Sequence, residues 1–172
     1  MKIKYAAYVA GSIDGKIAKN SLSGSNWTSK EDRKFFQKSL KFYDAVIIGH
    51  NTFNTYKKSL VKRNTIVLTS KASGFKTNGS VVFFNSKKEN LRKFLANRKY
   101  KSVAILGGPS VYNFCLENKM LDELFVTIEP CVFTAGVPMF AGKLFKKYDF
   151  SLESVKRLNK KGTILLKYKY GN

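Results

Sequence analysis

Two short apolar runs, each ended by glycine, do most to limit the fold of this chain. AVIIGHNTF (residues 45–53) and AILGGPSVY (residues 104–112) both pass from uninterrupted apolar residues through glycine into polar residues that can open a helix. A short apolar run without alternation suits a strand covered on both faces. Strand, glycine turn and helix in that order is the repeating unit of an α/β sheet.

The rest of the chain keeps the same rhythm. Periodicity predicts strands at 2–10, 45–49, 64–69, 80–84, 102–106 and 121–129. Helices are expected at 29–42, 87–97 and 109–118, with a helical turn or short helix at 51–56. Residues 11–26 are rich in Gly and Ser and read as a loop. A C-terminal pair, 150–158 and 163–170, reads as antiparallel strands joined through 159–162. The expectation is an α/β fold with a mainly parallel central sheet, helices on both faces and an antiparallel C-terminal edge.

The 172 residues contain no internal repeat, low-complexity tract or Pro/Gly linker. One domain over 1–172 is expected, large enough to bury roughly 70% of its unfolded surface. The apolar runs are far too short to cross a bilayer. The opening MKIKYAAYVAGS leads directly into patterned sequence and reads as a strand, not a signal peptide. Cys115 and Cys131, the two cysteines, lack metal-like spacing and are expected to be free thiols in a reducing cytoplasm.

The formal net charge is +21, and lysines outnumber arginines 27 to 5 along the whole chain. A nucleic-acid-binding domain is one reading of such a charge. No Arg-rich tail, zinc motif or aromatic–basic signature accompanies it, so a lysine-biased composition is the preferred one. The same field favours any anionic small ligand.

In open α/β sheets ligands gather at the carboxyl ends of strands. Three such ends carry useful chemistry: Gly107-Gly108 with Pro109 opening a helix, Gly49 followed by His50, Asn51 and Thr52, and Thr69-Ser70-Lys71. Helix N-termini and hydroxyls of this kind suit phosphate. Three together suggest a long, multiply phosphorylated ligand such as a dinucleotide. His50 is the sole histidine and lies in no nucleophile-elbow context, which disfavours hydrolase chemistry, and no metal site is apparent.

SNWTSKEDRKFF (residues 25–36) holds the sole tryptophan and Asp32. Thr28 or Ser29 suits a helix cap, with Glu31 and Asp32 in the first turn. Asp32 and Phe36 are four apart and share a helix face. Either Asp32 serves the helix dipole in solvent, or it is a buried carboxylate that a flat heterocycle with an amidine-like N–H pair would satisfy.

In the order of these motifs the chain resembles the dihydrofolate reductase superfamily, which includes dihydrofolate reductase and the reductase domain of riboflavin biosynthesis. The stretches that carry the resemblance are AGSIDGKIA, AVIIGHNTF, RNTIVLTSK, LGGPSVY and DELFVTIEP. It implies a mainly parallel eight-stranded sheet with NADPH lying across it. It assigns NADPH to Ala10 and Ile17, to Gly49, His50, Asn51 and Thr52, and to Thr69, Ser70 and Lys71. The run Gly107, Gly108, Pro109, Ser110, Val111 and Tyr112 completes the cofactor set.

The resemblance further implies that Asp32 holds a pterin ring, with Trp27 and Thr127 as its catalytic neighbours. Val9, Ala10 and Leu106 would surround the reacting rings, Phe36, Tyr56 and Leu60 would line the pocket, and Arg63 would hold the tail of the substrate. The expected partner is a pterin or folate, with no specific nucleic acid and no membrane, and the protein is expected as a monomer or homodimer. The leading expectation is reduction of 7,8-dihydrofolate by hydride transfer to C6 with protonation at N5. The alternative is a riboflavin-pathway reductase acting on a ribosylaminopyrimidine phosphate. The chain differs from that second branch at Leu106, where a Glu is typical, and at Tyr56-Lys57-Lys58, where Asp-Asp-Pro is typical.

Overall fold

The computed structural model describes residues 2–171. Its strands are β1 (Lys4–Ser12), β2 (Lys16–Ala18), β3 (Ala45–Gly49), β4 (Thr65–Leu68), β5 (Phe75–Asn78) and β6 (Val81–Phe84). They continue as β7 (Ser102–Ile105), β8 (Glu123–Glu129), β9 (Val137–Pro138), β10 (Phe150–Arg157) and β11 (Ile164–Tyr170). The helices are α1 (Lys30–Ser39), α2 (His50–Leu60), α3 (Leu91–Asn97) and α4 (Pro109–Glu117), with a 3-10 turn at Leu40–Phe42.

Nine strands form one sheet in the order β10-β11-β8-β1-β7-β3-β4-β6-β5, and β2 and β9 form a separate ribbon. The six strands from β8 to β6 pair in parallel. Antiparallel pairs close both edges, β11 with β8 and β10 on one side and β5 with β6 on the other. The sheet therefore has one strand more than the eight expected. The addition is β5, whose residues FKTN are all exposed and show no apolar alternation.

The period of two along each strand divides the core between the two faces. On β1, Tyr5, Ala7 and Val9 join one apolar cluster while Ala6 and Tyr8 join the other. On β3, Ala45 and Ile47 go with the first and Val46 and Ile48 with the second. Leu91 and Leu95 of α3 and Val111, Tyr112 and Cys115 of α4 cover the first face. Phe35 and Phe36 of α1 and Phe53, Tyr56 and Leu60 of α2 cover the second. With both faces covered, β3 and β7 are almost wholly buried, as their unbroken apolar sequences require.

Two local differences from the expectation matter for the site. Helix α2 runs on to Leu60 instead of stopping near residue 56, and Tyr56 sits in it with non-helical dihedrals, φ −115° and ψ 17°. The segment expected to be all loop, 11–26, begins with the end of β1 and contains β2. The Ser12 hydroxyl holds this turn by accepting from Lys16 N and donating to Asp14 Oδ1 at 2.6 Å. No helix among the described residues is long and apolar enough to cross a membrane.

Candidate active site

A cleft of about 1180 Å³ opens at the carboxyl ends of β1, β3, β4 and β7. Pockets for small molecules typically measure roughly 300–1,000 Å³, and this cleft is somewhat larger. Among the described residues lining it, Asp32 is the single acid, and Arg33, Arg63, Lys71 and Lys87 are among the bases. No cluster of His, Cys, Asp or Glu suited to a metal ion occurs among the described residues.

One half of the cleft is built from helix starts. Helices α2 and α4 have Gly49 and Gly108 at their N-caps, and neither receives a side-chain cap. By contrast, α1 is capped by Ser29 and α3 by Asn90. In α2 and α4 the first-turn N–H groups therefore lack a capping side chain where the helices begin at the cleft, an arrangement that favours phosphate. His50 Nδ1, also on this wall, is buried and has no hydrogen-bond partner. Thr52, Thr69, Ser70 and Lys71 line the same half.

The Gly107-Gly108 turn joins β7 to α4 through a cis peptide bond. Gly107 has φ +89°, and a Cβ there would lie 2.7 Å from the ring of Tyr112. Its carbonyl accepts the Gly49 N–H at 2.7 Å, which ties the two glycine turns together. Gly107 shapes this wall from behind, whereas Gly108, Pro109, Ser110, Val111 and Tyr112 line the cleft.

The other half is apolar around one carboxyl group. Asp32 is buried in the first turn of α1, where its backbone N–H donates to the Ser29 hydroxyl at 3.2 Å. Burial pushes its carboxyl above the usual range, hydrogen bonding from Thr127 pulls it partly back, and the charge of Glu129 raises it again. Phe36, Leu60 and Leu106 line this half, together with Val9 and Ala10 at the end of β1. Tyr8 and Phe125 stack beneath them at 4.7 Å, nearly parallel. Arg63 lines the cleft and donates through Nη1 to Leu40 O at 3.0 Å.

The structure therefore gathers the sequence-predicted residues into one cleft, with one exception beside the supporting Gly107. Trp27 does not line it. Its ring packs edge-on against Phe133 at 4.7 Å and faces an adjoining cavity of about 660 Å³ with Glu129 and Thr163. The Gly-rich segment turns between Ser25 and Thr28, and this carries the indole to the far side of the start of α1. Ile17, from β2, does reach the cleft.

Sequence reasoning missed Phe125, Arg33 and Ser25, all of which line the cleft, and Glu129 behind it. For the β8 residues a signal was present. Phe125, Thr127 and Glu129 alternate along one strand and so project from the same face.

Comparisons with known proteins place the chain in a family and a fold. Residues 5–164 match the family model described as RibD C-terminal domain. The Bacillus subtilis protein YwjB is 26% identical over 148 residues, covering 81% of this chain and 84% of its own. A Thermotoga maritima diaminohydroxyphosphoribosylaminopyrimidine deaminase/5-amino-6-(5-phosphoribosylamino)uracil reductase superposes with TM-score 0.72 at 18% identity. That match covers 99% of this chain and 57% of the bacterial enzyme. Dihydrofolate reductase from Enterococcus faecalis, solved with NADP(H) and RAB-propyl, superposes with TM-score 0.68 at 23% identity over 98% of this chain and 97% of its own. At these identities the two structures establish a shared fold.

Proposed function

The chain belongs to the RibD C-terminal domain family, and from that premise we propose that it is an NADPH-dependent reductase acting on a ribosylaminopyrimidine phosphate. One observation carries the reading. A single buried carboxyl group, Asp32, stands in the same cleft as two helix starts that lack side-chain caps.

The glycine-capped turns, His50 and the 69–71 segment fit a dinucleotide phosphate backbone, and Lys71 adds positive charge. Bound there, NADPH would supply the hydride. Asp32 would accept paired N–H groups from the aminopyrimidine edge, the bidentate pattern a carboxylate favours. Phe36 and Leu60 would hold the ring flat above the Tyr8–Phe125 stack and exclude water from it. Burial raises the Asp32 carboxyl, and paired N–H donors from a bound ring would offset that by favouring its ionised form. Arg63 spends one N–H on Leu40, and the rest of its guanidinium is available for an anionic substituent.

A specific set of residues favours dihydrofolate as a second reading. Asp32, Phe36, Leu60 and Arg63 share one cleft, as expected from the dihydrofolate reductase resemblance. Leu106 and Tyr56 also occupy positions where the riboflavin branch carries acids. NADPH oxidation measured with the ribosylaminopyrimidine phosphate and, separately, with dihydrofolate distinguishes the two. Turnover of the first alone supports the main reading, turnover of the second alone replaces it with the other, and turnover of neither removes both.

A further inference from the structure

Tyr56 reaches from one wall of the cleft to the other. It sits at the single non-helical residue inside α2. Its hydroxyl accepts the Ser25 backbone N–H and donates to Ser25 Oγ at 2.8 Å, thirty-one residues away in sequence. Gly24 eases the approach, since a Cβ there would stand a tight 3.1 Å from the tyrosine oxygen.

The segment so held has little else to anchor it. Among the described residues, the other hydrogen bonds of residues 20–26 are local: Ser23 N and Leu22 N reach Asn20, Ser23 Oγ reaches Asn20 Oδ1, and Thr28 N reaches Ser25 O. Leu22 is 76% exposed and adds no apolar anchor. Ser21, Ser23, Gly24 and Ser25 nevertheless line the cleft opposite α2. At the other end of this half, Arg63 crosses to Leu40 O. Two bonds thus tie together residues that line the same cleft as Asp32.

We propose that Tyr56 sets substrate size in this half of the cleft. With its hydroxyl on Ser25 the 20–26 segment roofs the site, which then admits an aminopyrimidine ring with a short anionic substituent and rejects one with a long rigid appendage. The inference rests on the reading that Asp32 holds such a ring, and its test separates the two ideas.

Tyr56→Phe removes the hydroxyl and keeps the ring. Amide hydrogen exchange reports the roof without any ligand. Exchange at residues 20–26 should quicken on the order of tenfold for the loss of two hydrogen bonds, with the core amides of Ile47 and Ala104 unchanged. Isothermal titration calorimetry then measures binding of pterin and of folate, which share one ring and differ by the appendage. The ratio of folate to pterin dissociation constants should fall on the order of tenfold in Tyr56→Phe. Unchanged exchange overturns the roof, and an unchanged ratio overturns its role in selection. If neither compound binds either protein, the ring-recognition reading fails and selection with it, while the exchange result still decides whether Tyr56 holds the segment.

Discussion

The carboxylate of Glu129 accepts the backbone N–H of Ser29 at 2.7 Å. Its second oxygen accepts the Thr163 hydroxyl at 2.7 Å, so one buried side chain at the end of β8 ties the start of α1 to the β10–β11 hairpin. The helix it steadies is the one that carries Asp32, and its charge is among the causes that raise the Asp32 carboxyl.

Glu129→Gln keeps an acceptor for Ser29 and removes that charge. The limb of the pH–rate profile that depends on Asp32 should move to lower pH, because a like charge no longer disfavours ionisation. Glu129→Ala instead strands a buried N–H and hydroxyl and should cost about 2 kcal/mol in stability, read by denaturant unfolding.

Asp32→Asn should melt at a higher temperature than the parent at pH 7. The folded-state carboxyl titrates above its unfolded value, so the folded protein binds more protons than the unfolded chain between the two values. Stability from this group is present at low pH and is lost as pH rises through that interval. The variant carries no such loss, so its advantage should vanish when the melts are repeated below the ordinary carboxylate range. Each 1 kcal/mol recovered should appear as about 2–4 °C.

Gly107→Ala should lose both stability and cofactor affinity. The added Cβ would overlap the buried Tyr112 ring at a residue with φ +89°. The cost should be about 2–4 kcal/mol, which lowers the melting temperature by on the order of 5–15 °C. The Gly49–Gly107 bond would shift with it, so the stabilisation conferred by NADPH in the same melts should shrink.

Much of this molecule was legible in the sequence because its central strands are covered on both faces. The unbroken apolar runs of β3 and β7 could belong to little else, and the glycines after them marked the end of the sheet where the cleft opens. The exposed edge strand β5 buries nothing, so its residues carry no pattern to read. Asp32 stood open between two fates until the fold buried it against Thr127 and Glu129. Trp27 lies outside the cleft because a turn between Ser25 and Thr28 decides which side of α1 it meets, and local spacing does not encode that. The Tyr56–Ser25 contact joins positions with no periodic relation and became visible only in three dimensions.

The most direct test of the account is a paired measurement on Asp32→Asn: turnover of the accepted substrate, and the dissociation constant for NADPH. Asp32 lies in the apolar half, away from the glycine-capped turns, so NADPH affinity should stay within about twofold of the parent while turnover falls by about a hundredfold or more. Near-parental turnover with intact NADPH binding would contradict the role given to this carboxyl group.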